Sequence, residues 1–282
     1  MMKVRIGGVP EHFNYPWYLT LKDKLYQEEG INLRWEDFPG GTGQMTQALR
    51  NGQIELAVVL TEGIVRDIIL GNPALIVQVF VSSPLIWGVH VATNSMFNEV
   101  DQLKGQRAAI SRMGSGSHLM SFVQAQNLGW NTQKNLRFEE IKNLNGALQA
   151  LPAGDAAYFL WEKFTTKPYV DEGIFRRIGE VPTPWPCFVI AARKAFIEEH
   201  PSVLDTILRI INRNTASFKD LDQIDQRLAH RYDQQLVDIR EWLSLTSWSS
   251  DQLKPEQLEL VQNTLLDLDL IPHKLDYQQL CL

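Results

Sequence analysis

The stretch ALRNGQIELAVVL, residues 48–60, returns in altered form as ALQALPAGDAAYFLW at residues 147–161. Each copy places Ala-Leu in a short helix, then a glycine, an acidic residue and an apolar strand. Gly52 suits a helix stop, because glycine takes the left-handed backbone that ends a helix without steric cost. The run LAVVL loses its alternation towards the end, as expected of a parallel strand covered on both faces. The recurrence has two readings: the ordinary repetition of helix, glycine and strand in any α/β chain, or two similar α/β lobes.

Working outward, KVRIGGV (3–9) alternates apolar and polar positions and predicts a first strand. Pro16 opens a predicted helix with Trp17, Leu21 and Leu25 on one face, stopping near Gly30. INLRWEDF, IELAVVL and ALIVQVFV follow as strands, with GGTGQMTQALRNG as a glycine loop feeding a helix. Strands alternating with helices at this spacing mean βαβ units with right-handed crossovers. A second series begins with WGVHVAT and QRAAIS, and a helix is predicted over 117–128 with Gly129 behind it. VPTPWPCF (181–188) has prolines at 182, 184 and 186 and predicts a stiff interlobe connector rather than a strand interior. From about residue 195 the spacing is helical. Val203, Leu204, Ile207, Leu208 and Ile211 share one face there, and Leu258, Val261 and Leu265 share another.

Composition narrows the function classes. With 282 residues, 44% hydrophobic and 21% charged, the chain is long enough for two lobes and apolar enough for a proper core. Its 27 basic and 33 acidic residues give a net charge of −6 with no basic run, which argues against nucleic acid as a partner. Cys187 and Cys281 make neither a disulfide framework nor a zinc spacing. The longest apolar runs are far too short to span a membrane. No charged leader followed by roughly 7–15 apolar residues opens the chain. The expected location is therefore cytoplasmic, or periplasmic or cell-surface if a leader precedes this sequence.

Two loops carry the candidate chemistry. In AISRMGSGSHLMSF (109–122), Gly114 to His118 lies between a strand and a helix. Unpaired amides and the helix dipole favour an anion there, glycines let backbone come close, and Ser115 and Ser117 add hydroxyls beside Gly116. The bland alternative is serine capping after a tight turn. The pattern is neither a P-loop nor a dinucleotide fingerprint. Gly40-Gly41-Thr42-Gly43 is a second loop of this kind, one in each proposed lobe. His12 and Phe13 follow the first strand, where open α/β sheets place ligands. Thr61 and Glu62 follow AVVL, and Trp161 and Glu162 hold the matching place in the second series. An acidic first-turn role explains Glu62 equally well, and any single histidine or tryptophan can be structural. There is no GxSxG, no HExxH and no close carboxylate pair.

RIGGVPEHFNYPW, the glycine loop before MTQALRNGQIELAVV, ISRMGSGSH, DAAYFLWE and CFVIAARKAFIEEHP resemble, in order and spacing, the type II periplasmic-binding-protein superfamily. Within it the likeness is greatest to solute-binding proteins of ABC transporters for aliphatic sulfonates, taurine, nitrate and thiamine-precursor pyrimidines. It covers residues 3–215 or so. The resemblance implies two α/β lobes, each a mixed, mostly parallel sheet flanked by helices, with a helical C-terminal region. It places one lobe at 1–87 plus 190–282 and the other at 88–189. It implies a small anionic or zwitterionic ligand (sulfonate, nitrate or pyrimidine-like) in the interlobe cleft, held by His12, Phe13, Gly41, Thr42, Thr61, Glu62, Ser115, Gly116, Ser117, Trp161 and Glu162. No cofactor or metal is expected, and an ABC permease is the expected partner for a transport role. The alternative is a cytoplasmic enzyme on the same scaffold in thiamine-pyrimidine or related metabolism, with His12 or Glu62 as acid or base. The pyrimidine-synthase branch has a cysteine-rich iron-binding motif, whereas Cys187 stands alone.

Overall fold

Two five-stranded sheets, built by the same topological rule, organise the chain. The computed structural model describes residues 1–282. The first series is β1 (Met2–Gly8), α1 (Tyr15–Lys22), α2 (Leu25–Glu28), β2 (Ile31–Asp37), α3 (Thr42–Arg50), β3 (Leu56–Leu60), α4 (Thr61–Ile69) and β4 (Ala74–Val81). The second is β5 (Ile86–Ala92), β6 (Arg107–Ile110), α5 (Gly116–Asn127), α6 (Thr132–Asn135), β7 (Arg137–Glu140), α7 (Leu144–Ala153), β8 (Tyr158–Glu162), α8 (Lys167–Asp171) and β9 (Phe175–Pro182). Then come β10 (Phe188–Arg193), α9 (Lys194–Glu199), α10 (Pro201–Ala216), α11 (Ile224–Tyr232), α12 (Leu236–Leu245), α13 (Pro255–Asp267) and α14 (Tyr277–Leu280).

The strand orders are β2-β1-β3-β10-β4 and β7-β6-β8-β5-β9. In each sheet two parallel pairings (β1 with β2 and β3; β6 with β7 and β8) are followed by one strand antiparallel to both its neighbours, β10 or β5. Four strands of each sheet thus point one way. The recurrent stretches of sequence are α3–β3 and α7–β8, and they occupy corresponding places in the two sheets. LAVVL is β3, central and buried up to Val59, which is why it carries no polar face.

The chain divides into two compact units, Met1–Ser83 with Trp185–Leu282, and Pro84–Pro184. The crossings lie a few residues from the expected junctions after 87 and 189. β5 already pairs at Ile86 with Pro182, and β10 pairs at Phe188 with Leu60. Strand β9 also runs further into the proline segment than predicted, because an edge strand tolerates Pro182 at its end. The connector proper is then Thr183–Cys187.

The single helix predicted from Pro16 to Gly30 is instead two. Lys24 takes the left-handed conformation (φ 58°) between α1 and α2. The break turns Tyr26 rather than Leu25 into the core, where its ring stacks on Trp17 at 6.3 Å and its hydroxyl meets Thr20 Oγ1 at 3.1 Å. In α10 and α13 the apolar stripes lie inward at Leu204, Ile207, Ile211, Leu258, Val261 and Leu265, while Val203 and Leu208 are half-buried. The outer edge of β4 is not left open. Val79 and Ser82 amides donate to Asp251 and Ser247 carbonyls, and the Leu282 amide donates to Ile76. Covering an edge in this way removes a template for unwanted strand pairing. No helix is long and apolar enough to cross a membrane.

Candidate functional site

In the first unit, the start of α3 and the start of α4 are locked together. Gly41 precedes α3 with φ 69°, a backbone that favours glycine, and a side chain built there would meet nothing within 4 Å. Thr42 Oγ1 accepts the Leu60 amide at 3.0 Å, tying the helix to the end of β3. The Thr42 methyl lies so close to Gly63 that a Cβ at 63 would stand 2.5 Å from it. Thr42 and Gly43 open α3, so their amides have no acceptor within the helix and face outward with its positive dipole end.

Thr61 and Glu62 sit beside this pair, but they spend their polar atoms on the connector. The Thr61 amide donates to the Cys187 carbonyl at 3.1 Å and its hydroxyl to the Pro186 carbonyl at 2.5 Å. Glu62 Oε2 accepts the Trp185 indole N–H at 2.8 Å. Glu62 is only 2% exposed, and burial pushes its carboxyl up to about 7. Its second oxygen, Oε1, is buried with no hydrogen-bond partner. Three consecutive residues, 185–187, thus hold both side chains, and Glu62 Oε1 alone keeps an unspent polar atom.

His12 and Phe13 are enclosed. They form a 3-10 turn after β1, and His12 packs against Trp242 at 4.2 Å, Phe13 at 5.0 Å and Tyr232 at 5.9 Å. Burial lowers its pKa to about 3, so the imidazole is neutral at pH 7. Phe13 packs against Phe188 and Trp242, and its carbonyl accepts the Trp248 indole N–H at 3.2 Å. A buried neutral ring supports the loop after β1; it offers no positive charge to an anion.

In the second unit, the Gly114–His118 turn is tightly bonded to itself. Ser115 caps α5 by accepting the His118 amide at 3.4 Å, and His118 Nδ1 accepts the Gly114 amide at 3.1 Å. Ser117 Oγ takes the Ser111 amide at 2.9 Å and touches Ser115 Oγ at 3.1 Å. Phe122 and Phe138 hold the His118 ring edge-on. The serine hydroxyls are thus spent on shaping the turn. The amides of Gly116 and Ser117, first in the twelve-residue α5, have no acceptor within the helix. Capping and anion readiness are not rivals here: the cap is what presents the amides.

Trp161 and Glu162 end β8. Trp161 is half-buried against Phe159. Glu162 Oε2 accepts the Thr165 amide at 2.6 Å and hydroxyl at 2.8 Å, while burial raises the pKa of the carboxyl. It therefore organises the turn after β8. Ser111, Thr165 and Trp185 are the partners that hold Ser117, Glu162 and Glu62. Only Trp185 left a sequence signal, as an indole inside a proline connector. No three His, Cys, Asp or Glu side chains are grouped to hold a metal ion.

The family described as Ca3427-like PBP matches residues 87–181, almost the whole of the contiguous unit. No curated protein matches the sequence. Among solved structures, the CA3427 gene product of Candida albicans, described as defining a new family with the generic periplasmic binding protein fold, superposes with a TM-score of 0.88. That likeness has 24% identity and covers 98% of this chain and 93% of the other. The periplasmic aliphatic sulphonate binding protein SsuA of Escherichia coli gives 0.77 at 19% identity, over 100% and 92% of the two chains. The alkanesulfonate-binding protein SsuA of Xanthomonas axonopodis pv. citri, bound to MOPS, gives 0.81 at 17% identity, over 97% and 95%.

Proposed function

From a chain that has the type II periplasmic-binding-protein fold, we propose a ligand-binding protein for a small anionic or zwitterionic metabolite of the sulfonate, nitrate or pyrimidine-like kind. The N-terminus of α5 takes the acidic group of the ligand, and α3 is its counterpart in the first unit. The observation that carries it is the Gly114–His118 turn. Its serines bond inward and leave the Gly116 and Ser117 amides unspent at the start of a long helix. Thr42 and Gly43 repeat the arrangement at α3. Sulfonate binding by two structural neighbours supports an oxyanion as ligand class. A transport role would add an ABC permease as partner.

Within its own unit each turn has a further candidate contact, Glu62 beside α3 and the half-buried Trp161 at the end of β8. The free Glu62 Oε1 suits a hydrogen-bond donor, such as the amino end of a zwitterion. The alternative is an enzyme on the same scaffold using His12 or Glu62 as acid or base; of the two, the His12 ring is enclosed and neutral, and Glu62 is the buried carboxyl raised to about 7.

The test is a melting-temperature screen against alkanesulfonates, nitrate, carboxylates and pyrimidines, with wild type and Gly116→Asp. A ligand at about 100 times its dissociation constant stabilises by roughly 2.7 kcal/mol. A shift in wild type that is lost in a folded Gly116→Asp protein supports the proposal. No shift across the panel, or an equal shift in the variant, overturns it.

A further inference from the structure

Away from these turns, helices α1 and α11 carry stripes of matched chemistry. Tyr15, Tyr18 and Lys22 recur at helical spacing along α1, and Arg227, His230 and Arg231 do so along α11. These six side chains line one open cavity of about 710 Å³. No Asp or Glu lines it, in a chain whose acids outnumber its bases by 33 to 27.

Arg231 is held there in an unusual way. Its guanidinium lies 3.9 Å from the ring centroid of Tyr18 and 5.7 Å from those of Tyr15 and Tyr232. Tyr15 and Tyr18 are themselves stacked at 5.5 Å, 13° from parallel. Aromatic faces fix the plane of a guanidinium without neutralising its charge. The Tyr232 hydroxyl engages one guanidinium N–H, and the remaining donors of the fork have no carboxylate partner. Lys22 and Arg227 likewise make no ion pair. The nearest acid along α11, Asp225, is held by Arg240 at 2.8 Å. The groove thus gathers cations on an aromatic floor with Tyr18 39% exposed, while Glu11 and Asp37 line the adjoining cavity that Arg231 and Tyr18 also border.

The geometry points to a second ligand site in this α1–α11 groove, for a small polyvalent oxyanion of the phosphate-ester or diphosphate class. The Arg231 fork would take two oxygens of one phosphoryl group, and Lys22 and Arg227 the remaining charge. A univalent sulfonate or nitrate would leave most of that charge unanswered, so the groove and the α5 turn select different anions.

Calorimetric titration with inorganic pyrophosphate tests it, with methanesulfonate as the univalent control. Pyrophosphate should bind wild type, and R231Q or R227Q should each weaken it about tenfold or more, the worth of a charge-assisted hydrogen bond. R231K, which keeps the charge and loses the fork, should fall between wild type and R231Q. Gly116→Asp should leave pyrophosphate binding unchanged. Failure of wild type to bind millimolar pyrophosphate, equal binding by R231Q and R227Q, or methanesulfonate binding as tightly as pyrophosphate overturns the inference.

Discussion

Trp185 donates its indole N–H to the buried carboxylate oxygen of Glu62 at 2.8 Å, joining the first residue after the return crossing to the first turn of α4. Thr61 reinforces the same junction through the Pro186 and Cys187 carbonyls. The connector is stiff because of its prolines and is placed by these three bonds.

The junction carries a pH signature. Burial raises the Glu62 carboxyl from its ordinary 4.5 to about 7, so the folded protein holds this proton more tightly than the unfolded chain. Stability from this group is complete below pH 4.5 and is lost as pH rises through 7, by about 3 kcal/mol in all. Glu62→Gln keeps an acceptor for Trp185 and should abolish this loss. Denaturant unfolding at pH 5 and pH 8 should show wild type weakening across the interval relative to the variant. An identical pH dependence would refute the assignment.

His12 acts in the opposite sense. Its folded pKa of about 3 lies below the ordinary 6.5, so the unfolded chain takes up the proton first as pH falls. Stability from the neutral ring is complete above pH 6.5 and disappears as pH drops towards 3. His90, also lowered to about 3, adds to the same limb. His12→Phe should make unfolding less acid-sensitive between pH 6 and pH 4, read by circular dichroism. A steeper acid limb in the variant counts against the buried neutral imidazole.

Gly63→Ala should cost about 1–3 kcal/mol, because its new Cβ would stand 2.5 Å from the Thr42 methyl. Thr42→Ser removes that methyl and keeps the hydroxyl for Leu60. The double variant should therefore recover most of the loss in a thermal melt. Strict additivity of the two changes would show that the clash is not the cause.

Ser117→Ala removes the acceptor of the Ser111 amide and should destabilise by about 1 kcal/mol, the usual worth of such a bond. Faster amide exchange at Ser111 is the direct readout. Unaltered protection there would mean that the turn is held by its backbone alone.

What could be read from sequence was what local pattern controls. LAVVL and its counterpart YFLW fall at matching sheet positions because an apolar run beside a glycine stop leaves few other places for a strand. Ser115 is legible as a cap for the same local reason. Tyr26 was not legible, since only packing against Trp17 decides that the chain breaks at Lys24. Nor were the roles of Thr61 and Glu62, whose partners lie 123 or more residues away in sequence. The cavity between α1 and α11 was hidden because 209 positions separate Lys22 from Arg231.

The placing of β10 sets an order of synthesis. Strand β10 lies inside its sheet, between β3 and β4, yet it is made after all of Pro84–Pro184. On the ribosome, the unit begun first must wait with β4 detached from β3, while the unit begun second is continuous and has all its strands by Pro182. Since domains generally fold as units during translation, the later-begun half is the earlier to have its full sheet, and the half begun first is the last to close.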